Sequence, residues 1–168
     1  MNKLNLINLF FMGQSLVKNY LHFTFSTKHR QKLIGQTIEN EWYGYSGGVY
    51  KETDRAPVKM GGYDDHVHIL CMLSKKIAIM KLLEQVKTNS SKWIKTPDKE
   101  LTIFYWQDAR LTGRAGYGAF SVNPAEVDIV IKYITNQGVY HNTTGFQDEY
   151  RAFLEKYKLA YNEKYAWD

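Results

Sequence analysis

The chain has 168 residues, a hydrophobic content of 44% and a formal net charge of +5. That fits one domain with a real core, and the basic balance suits a polyanionic partner. Cys71 is the only cysteine, which excludes an intrachain disulfide and a cysteine-rich zinc site and points to a reducing cytoplasm, while no apolar run is long enough to span a membrane.

Residues 1–11 are apolar but short and lack a small-residue cleavage site, so they do not read as a signal peptide. The domain pattern begins at Met12. Residues 1–11 are therefore either an upstream extension or the first residues of the domain, and 12–168 are read as the single domain. Residues 19–27 alternate, with Leu21, Phe23 and Phe25 facing one way and Tyr20, His22 and Thr24 the other, which predicts a strand with one buried face. Ile34, Ile38, Trp42 and Tyr45 recur at helical spacing and predict a helix from about 32 to 45, ended by Ser46-Gly47-Gly48.

Residues 56–62 and 65–73 are two extended runs around Tyr63-Asp64, a hairpin pattern. Ser74 is placed to cap the next helix, where Ile79, Leu82, Leu83, Val86 and Trp93 recur at three- and four-residue steps. Residues 101–107 read as another strand. A loop containing Arg110 and Arg114 follows, then a short extended piece at 119–122. Asn123-Pro124-Ala125-Glu126 has the chemistry of a helix start, and Gly138 of its end. A last helix begins near Phe146, with Tyr150, Phe153, Leu154 and Tyr157 on one stripe. This order predicts an α+β fold: a ferredoxin-like antiparallel sheet with helices packed on one face, followed by C-terminal helices.

Two segments carry chemistry. In Asp65-His66-Val67-His68-Ile69, alternation sends His66 and His68 to one face and Val67 and Ile69 to the other. Two imidazoles so placed can take adjacent positions on one metal ion, or can simply sit on an open, polar sheet face. In residues 125–137, Val127, Val130, Ile131 and Ile134 form an apolar stripe. Tyr133 and Gln137, four apart, stack beside that stripe. A phenol and an amide oxygen one turn apart suit a nucleophile and a hard metal ligand, although such a pair alone is ordinary.

His66-Val67-His68 together with Tyr133-Ile134-Thr135-Asn136-Gln137 resembles the HUH single-tyrosine transposases, the IS200-like family and its relatives associated with repetitive extragenic palindromes. The likeness runs from Met12 through DHVHIL, LLEQVKTNSSKWI and GYGAFSV to FQDEYRAFLEKY and YAWD. It implies that Tyr133 is the nucleophile and that His66, His68 and Gln137 bind a divalent metal, Mg²⁺ or Mn²⁺. It implies cleavage of single-stranded DNA bearing a hairpin, through a 5′-phosphotyrosine link. It also implies a homodimer, with the tyrosine helix acting on its own or its partner's histidines, in a bacterial or archaeal cytoplasm at the nucleoid. Relatives often carry two histidines after the glutamine. Here the pair is Tyr140-His141, so neither is assigned to catalysis.

Lys75, Lys76, Lys81, Lys87, Lys92 and Lys95 run along one helix and its exit. They are either a solvated face or phosphate contacts. In the second case Lys87, Lys92, Arg110 and Arg114 are the candidate DNA-binding residues. Two other functions stay open: a domesticated nuclease that processes palindromes, and a non-catalytic single-strand RNA-binding module, which would need neither the histidine pair nor Tyr133.

Overall fold

Alternation along the strands sorts their side chains into two populations, and the fold follows from covering both. The computed structural model describes residues 17–35, 38–39, 41–45, 57–96, 99–107 and 116–163. Strands β1 (Tyr20–Ser26), β2 (Pro57–Tyr63), β3 (His66–Met72) and β4 (Gly118–Val122) form one antiparallel sheet in the order β2-β3-β1-β4. With a helical stretch at 41–45 between β1 and β2, and helix α1 (Ile79–Ile94) between β3 and β4, this is the expected ferredoxin-like α+β plan.

Leu21, Phe23 and Phe25 of β1 and Val67, Ile69 and Cys71 of β3 share one face. There they pack with Trp42, with Leu82, Leu83 and Val86 of α1, and with Phe104 and Trp106. The other face carries His22, Thr24, Ser26, His66, His68 and Leu70, aligned across β1 and β3 as Ser26↔His66, Thr24↔His68 and His22↔Leu70. This face is not open. The C-terminal helices α2 (Val127–Thr135), α3 (Gln137–Tyr140) and α4 (Phe146–Lys156) lie over it, and every one of those polar residues of β1 and β3 is buried. Leu70, Val122 and Ile134 form a second apolar cluster beneath α2. The helix sits directly on bare strand backbone: a Cβ added at Gly61 would lie 2.5 Å from Ile134 O and 2.6 Å from Ile134 Cγ2. Only glycine lets α2, and Tyr133 with it, approach this closely.

Several sequence expectations need correction. Residues 101–107 are not a strand. Lys99–Ile103 form a 3-10 helix, Phe104 N bonds Leu101 O at 2.9 Å, and only Trp106 bridges Thr27 beyond the end of β4. The buried positions there, Leu101, Phe104 and Trp106, do not alternate. Residues 32–35 are not helical, because Ile34 N is committed to Asp64 O at 2.8 Å; helix is seen at 38–39 and 41–45. Ser74 caps a turn, its Oγ accepting from Lys76 N at 3.2 Å, and α1 starts only at Ile79. Gly138 does not end the tyrosine helix. The break comes at Asn136 (φ −96, ψ 15), and Gly138 lies inside α3. The helix start is as read, with Asn123 accepting from Ala125 N at 3.0 Å and Pro124 following. Residues 1–11, the Ser46-Gly47-Gly48 stop, Arg110 and Arg114 lie outside the described residues. Among the described residues no helix is long and apolar enough to cross a membrane.

Candidate metal and nucleophile site

The covered face of the sheet gathers polar side chains from five elements. β3 supplies His66 and His68, both with no exposed surface, and β1 supplies His22 beside them. α2 supplies Tyr133 and α3 supplies Gln137, so the kink at Asn136 still leaves this pair on one side. His141 follows α3, and Glu149, 1% exposed, enters from α4. Tyr133 donates its hydroxyl proton to Glu149 Oε1, and Gln137 Nε2 donates to the same oxygen at 3.0 Å. His68 Nε2 lies 3.3 Å from Glu149 Oε1; His66 Nε2 and His141 Nε2 lie 3.5 and 3.3 Å from Oε2. Gln137 Oε1 faces His66 Nε2 at 3.3 Å and His141 Nε2 at 2.9 Å.

The opposite nitrogen of each of these imidazoles is also held. Nδ1 of His66 is 2.7 Å from Asp65 Oδ1, Nδ1 of His141 is 2.6 Å from Thr144 O, and Nδ1 of His68 is 2.9 Å from His22 Nε2. Aromatic rings close the surroundings: Phe146 stacks on His66, Tyr63 stacks on His141, and Phe153 packs edge-on against Tyr133 and His22.

The electrostatics follow from burial. Desolvation and then the neighbouring His68 hold His22 well below the ordinary histidine value. His68 is lowered too, by burial, so it is a neutral ligand-type imidazole near pH 7. His141 is raised, because the Glu149 carboxylate beside it outweighs burial. Burial would raise Glu149, but the surrounding imidazoles overcome it and hold the carboxyl below its usual range. Burial, then the Glu149 carboxylate, push the Tyr133 phenol above its ordinary value, so the hydroxyl is protonated in this arrangement.

His66, His68, His141 and Glu149 each offer one donor atom, all within 4.8 Å of one another. His68 Nε2 and Glu149 Oε2 are buried without a hydrogen-bond partner. Two buried, unpartnered donor atoms beside two further imidazoles fit a divalent cation, and the mixed nitrogen and oxygen donors suit one.

Of the residues expected from the sequence, Tyr133, His66, His68 and Gln137 come together here. Lys87 and Lys92 do not: they lie on α1, which packs on the other face of the sheet. There Lys87 donates to the carbonyls of Gln107 and Gly116 at 2.8 and 2.5 Å, and Lys92 is exposed. Sequence reasoning missed Glu149 and left His141 aside. The signal for Glu149 was its place three residues after Phe146, a carboxylate on the apolar stripe of α4.

A family model described as Transposase IS200 like matches residues 15–137. A protein of Deinococcus radiodurans R1 assigned as a transposase, solved at 1.90 Å, superposes with a TM-score of 0.55 at 17% identity, over 75% of this chain and 96% of its own. A REP-associated tyrosine transposase bound to a REP hairpin superposes with a TM-score of 0.54 at 14% identity, over 79% of this chain and 74% of its own. No curated protein matches the chain.

Proposed function

Because the chain belongs to the IS200-like transposase family, and so to DNA-processing enzymes, we propose that it cleaves and rejoins single-stranded DNA with Tyr133 as nucleophile. His66 and His68, with Gln137 at their edge, are the proposed seat of a divalent metal, Mg²⁺ or Mn²⁺. The observation that carries this reading is the Tyr133 hydroxyl, hydrogen-bonded inside the same buried cluster as the paired histidines.

The oxygen of Tyr133 attacks the scissile phosphorus. A tyrosine O–P bond forms and the P–O3′ bond breaks, leaving a 5′-phosphotyrosine and a free 3′-hydroxyl once that oxygen takes up a proton. The link keeps the phosphodiester's energy, so a second 3′-hydroxyl can reverse it without a nucleotide cofactor. A divalent cation, when bound, polarises a non-bridging phosphate oxygen and makes phosphorus more electrophilic. The rest is the work of side chains. Phe153 and His22 hold the Tyr133 ring edge-on, and Glu149 Oε1 fixes the direction of its hydroxyl. The same oxygen is the acceptor already in contact with the proton that must leave. Gln137 pins that carboxylate oxygen from the next turn.

The substrate we propose is a hairpin-bearing single strand, in line with the hairpin bound to the structural neighbour. Incubated with single-stranded hairpins from its own genomic surroundings plus Mn²⁺, the chain should give a denaturant-resistant protein–DNA adduct. The same sequence as perfect duplex should react poorly, because a duplex hides the strand from a recessed tyrosine. Equal reaction of duplex and single strand would remove the proposed mechanism. One nucleophile per chain and two cuts per excision argue for a homodimer. Light scattering with hairpin DNA should report two chains, and a monomer under all conditions would restrict the activity to nicking.

A further inference from the structure

The proposed metal seat has more protein donors than the His66, His68 and Gln137 set. The protons on the imidazoles can be located from their outer partners. The Asp65 carboxylate and the Thr144 carbonyl can only accept, so the Nδ1 atoms of His66 and His141 carry protons. Their Nε2 atoms then present lone pairs to the cavity. His68 follows the same pattern if its Nδ1 donates to His22 Nε2, which leaves its buried Nε2 facing Glu149. Outward Nδ1–H bonds with inward Nε2 lone pairs are how proteins orient histidine ligands.

Oxygen atoms of Gln137 and Glu149 crowd these inward nitrogens. His141 Nε2 lies 2.9 Å from Gln137 Oε1 and 3.3 Å from Glu149 Oε2, so a proton there, or a cation in its place, meets two oxygens. A proton or a bound cation can supply the positive charge at this point, and four converging donors with two of them unpartnered favour the cation. We propose that His141 and Glu149 are metal ligands together with His66 and His68, so that three imidazole nitrogens and one carboxylate oxygen hold a divalent transition ion of the Mn²⁺, Co²⁺ or Zn²⁺ class. Mg²⁺, which prefers an all-oxygen shell and retains water, fits this nitrogen-rich set less well. Gln137 becomes a positioning residue that pins Glu149 through its Nε2 and lies beside two ligands through its Oε1. Glu149 then links ion and nucleophile, one oxygen toward His66 and His141 and the other, beside His68, on the Tyr133 hydroxyl. Two of the four donors, His141 and Glu149, lie beyond the segment 15–137 that matches the family model, so half of the set comes from the C-terminal part of the chain.

The inference deepens the proposed function and rests on it for the ion's role, but it is tested without DNA. Mn²⁺ binding to the full chain is measured by titration calorimetry and by the loss of the free-ion EPR signal, for the parent, Glu149→Gln and His141→Ala. Removal of a ligand should weaken binding by at least about 100-fold, more than an outer-shell change. Variants within about threefold of the parent would overturn the ligand set. The proton NMR spectrum of the Co²⁺-loaded parent provides a check that needs no variant. Three imidazole ligands predict paramagnetically shifted ring N–H signals from three histidines, and signals from two or fewer would overturn the proposal even if Glu149→Gln failed to fold. Tyrosine adducts with unchanged Mn²⁺ affinity in both variants would sink this ligand set alone. Four-donor binding without any adduct would instead sink the strand-transfer reading.

Discussion

Tyr133→Phe should eliminate the covalent DNA adduct, by a factor of at least about 10³, while leaving the fold and metal binding in place. The substitution removes one oxygen. That oxygen is the proposed attacking atom, and phenylalanine offers no replacement. The ring contacts with His22, His68 and Phe153 do not involve the hydroxyl and survive. The hydroxyl does donate to the buried Glu149, and losing a hydrogen bond to a charged group costs about 1–3 kcal/mol. Gln137 still donates to the same carboxylate oxygen, so the variant should melt earlier yet stay folded at assay temperature. The chain contains 13 tyrosines, which makes the control decisive. An adduct of undiminished yield in the phenylalanine variant would assign the nucleophile to another residue.

His66→Ala and His68→Ala should each abolish cleavage and leave most of the affinity for DNA. Affinity for DNA comes largely from phosphate contacts in general, whereas the histidines are buried beneath the helices and would act through the ion proposed to sit on them. The loss should exceed about 100-fold for either residue. Each substitution also strips a neighbour from the buried Glu149 carboxylate. Breaking up a buried charge cluster costs about 3–5 kcal/mol, so circular dichroism at assay temperature must accompany the cleavage gel. Filter binding separates the two contributions: unchanged retention of hairpin DNA with no cut is the expected result. Full cleavage by the parent in excess chelator would contradict the role given to these histidines.

How much of this could be read from the sequence depended on whether one element sufficed. His66 and His68 were legible because strand alternation is local: two residues apart means one face, whatever the sheet does. Asn123-Pro124 was legible as a helix start for the same reason, since a cap bonds within its own turn. Residues 101–107 misled because Ile103, Tyr105 and Trp106 have strand propensity. The segment is instead held by burial of Leu101 and Phe104 one 3-10 turn apart, and tertiary packing overrode propensity. Glu149 was hidden for a different reason. Its place one turn from Phe146 and Phe153 hinted at burial, but a carboxylate between Asp148 and Arg151 passes for a surface charge, and only the docking of α4 on the histidine face gives it a purpose. Covering the histidine face is likewise a long-range event, and no spacing within β3 announces that three later helices will lie over it.

The alternation in β3 also governs what an incorrectly folded copy can do. His66 and His68 are interleaved with Val67 and Ile69, so a slip of one residue against β1 would exchange the two pairs. Two imidazoles would then be driven among Phe23, Phe25 and Val86, and two aliphatic side chains would face Glu149 with nothing to offer it. The error costs both the core and the cluster at once. An off-register chain would thus lose its core and the proposed metal and nucleophile site together, so hydrophobic register and site assembly stand or fall as one.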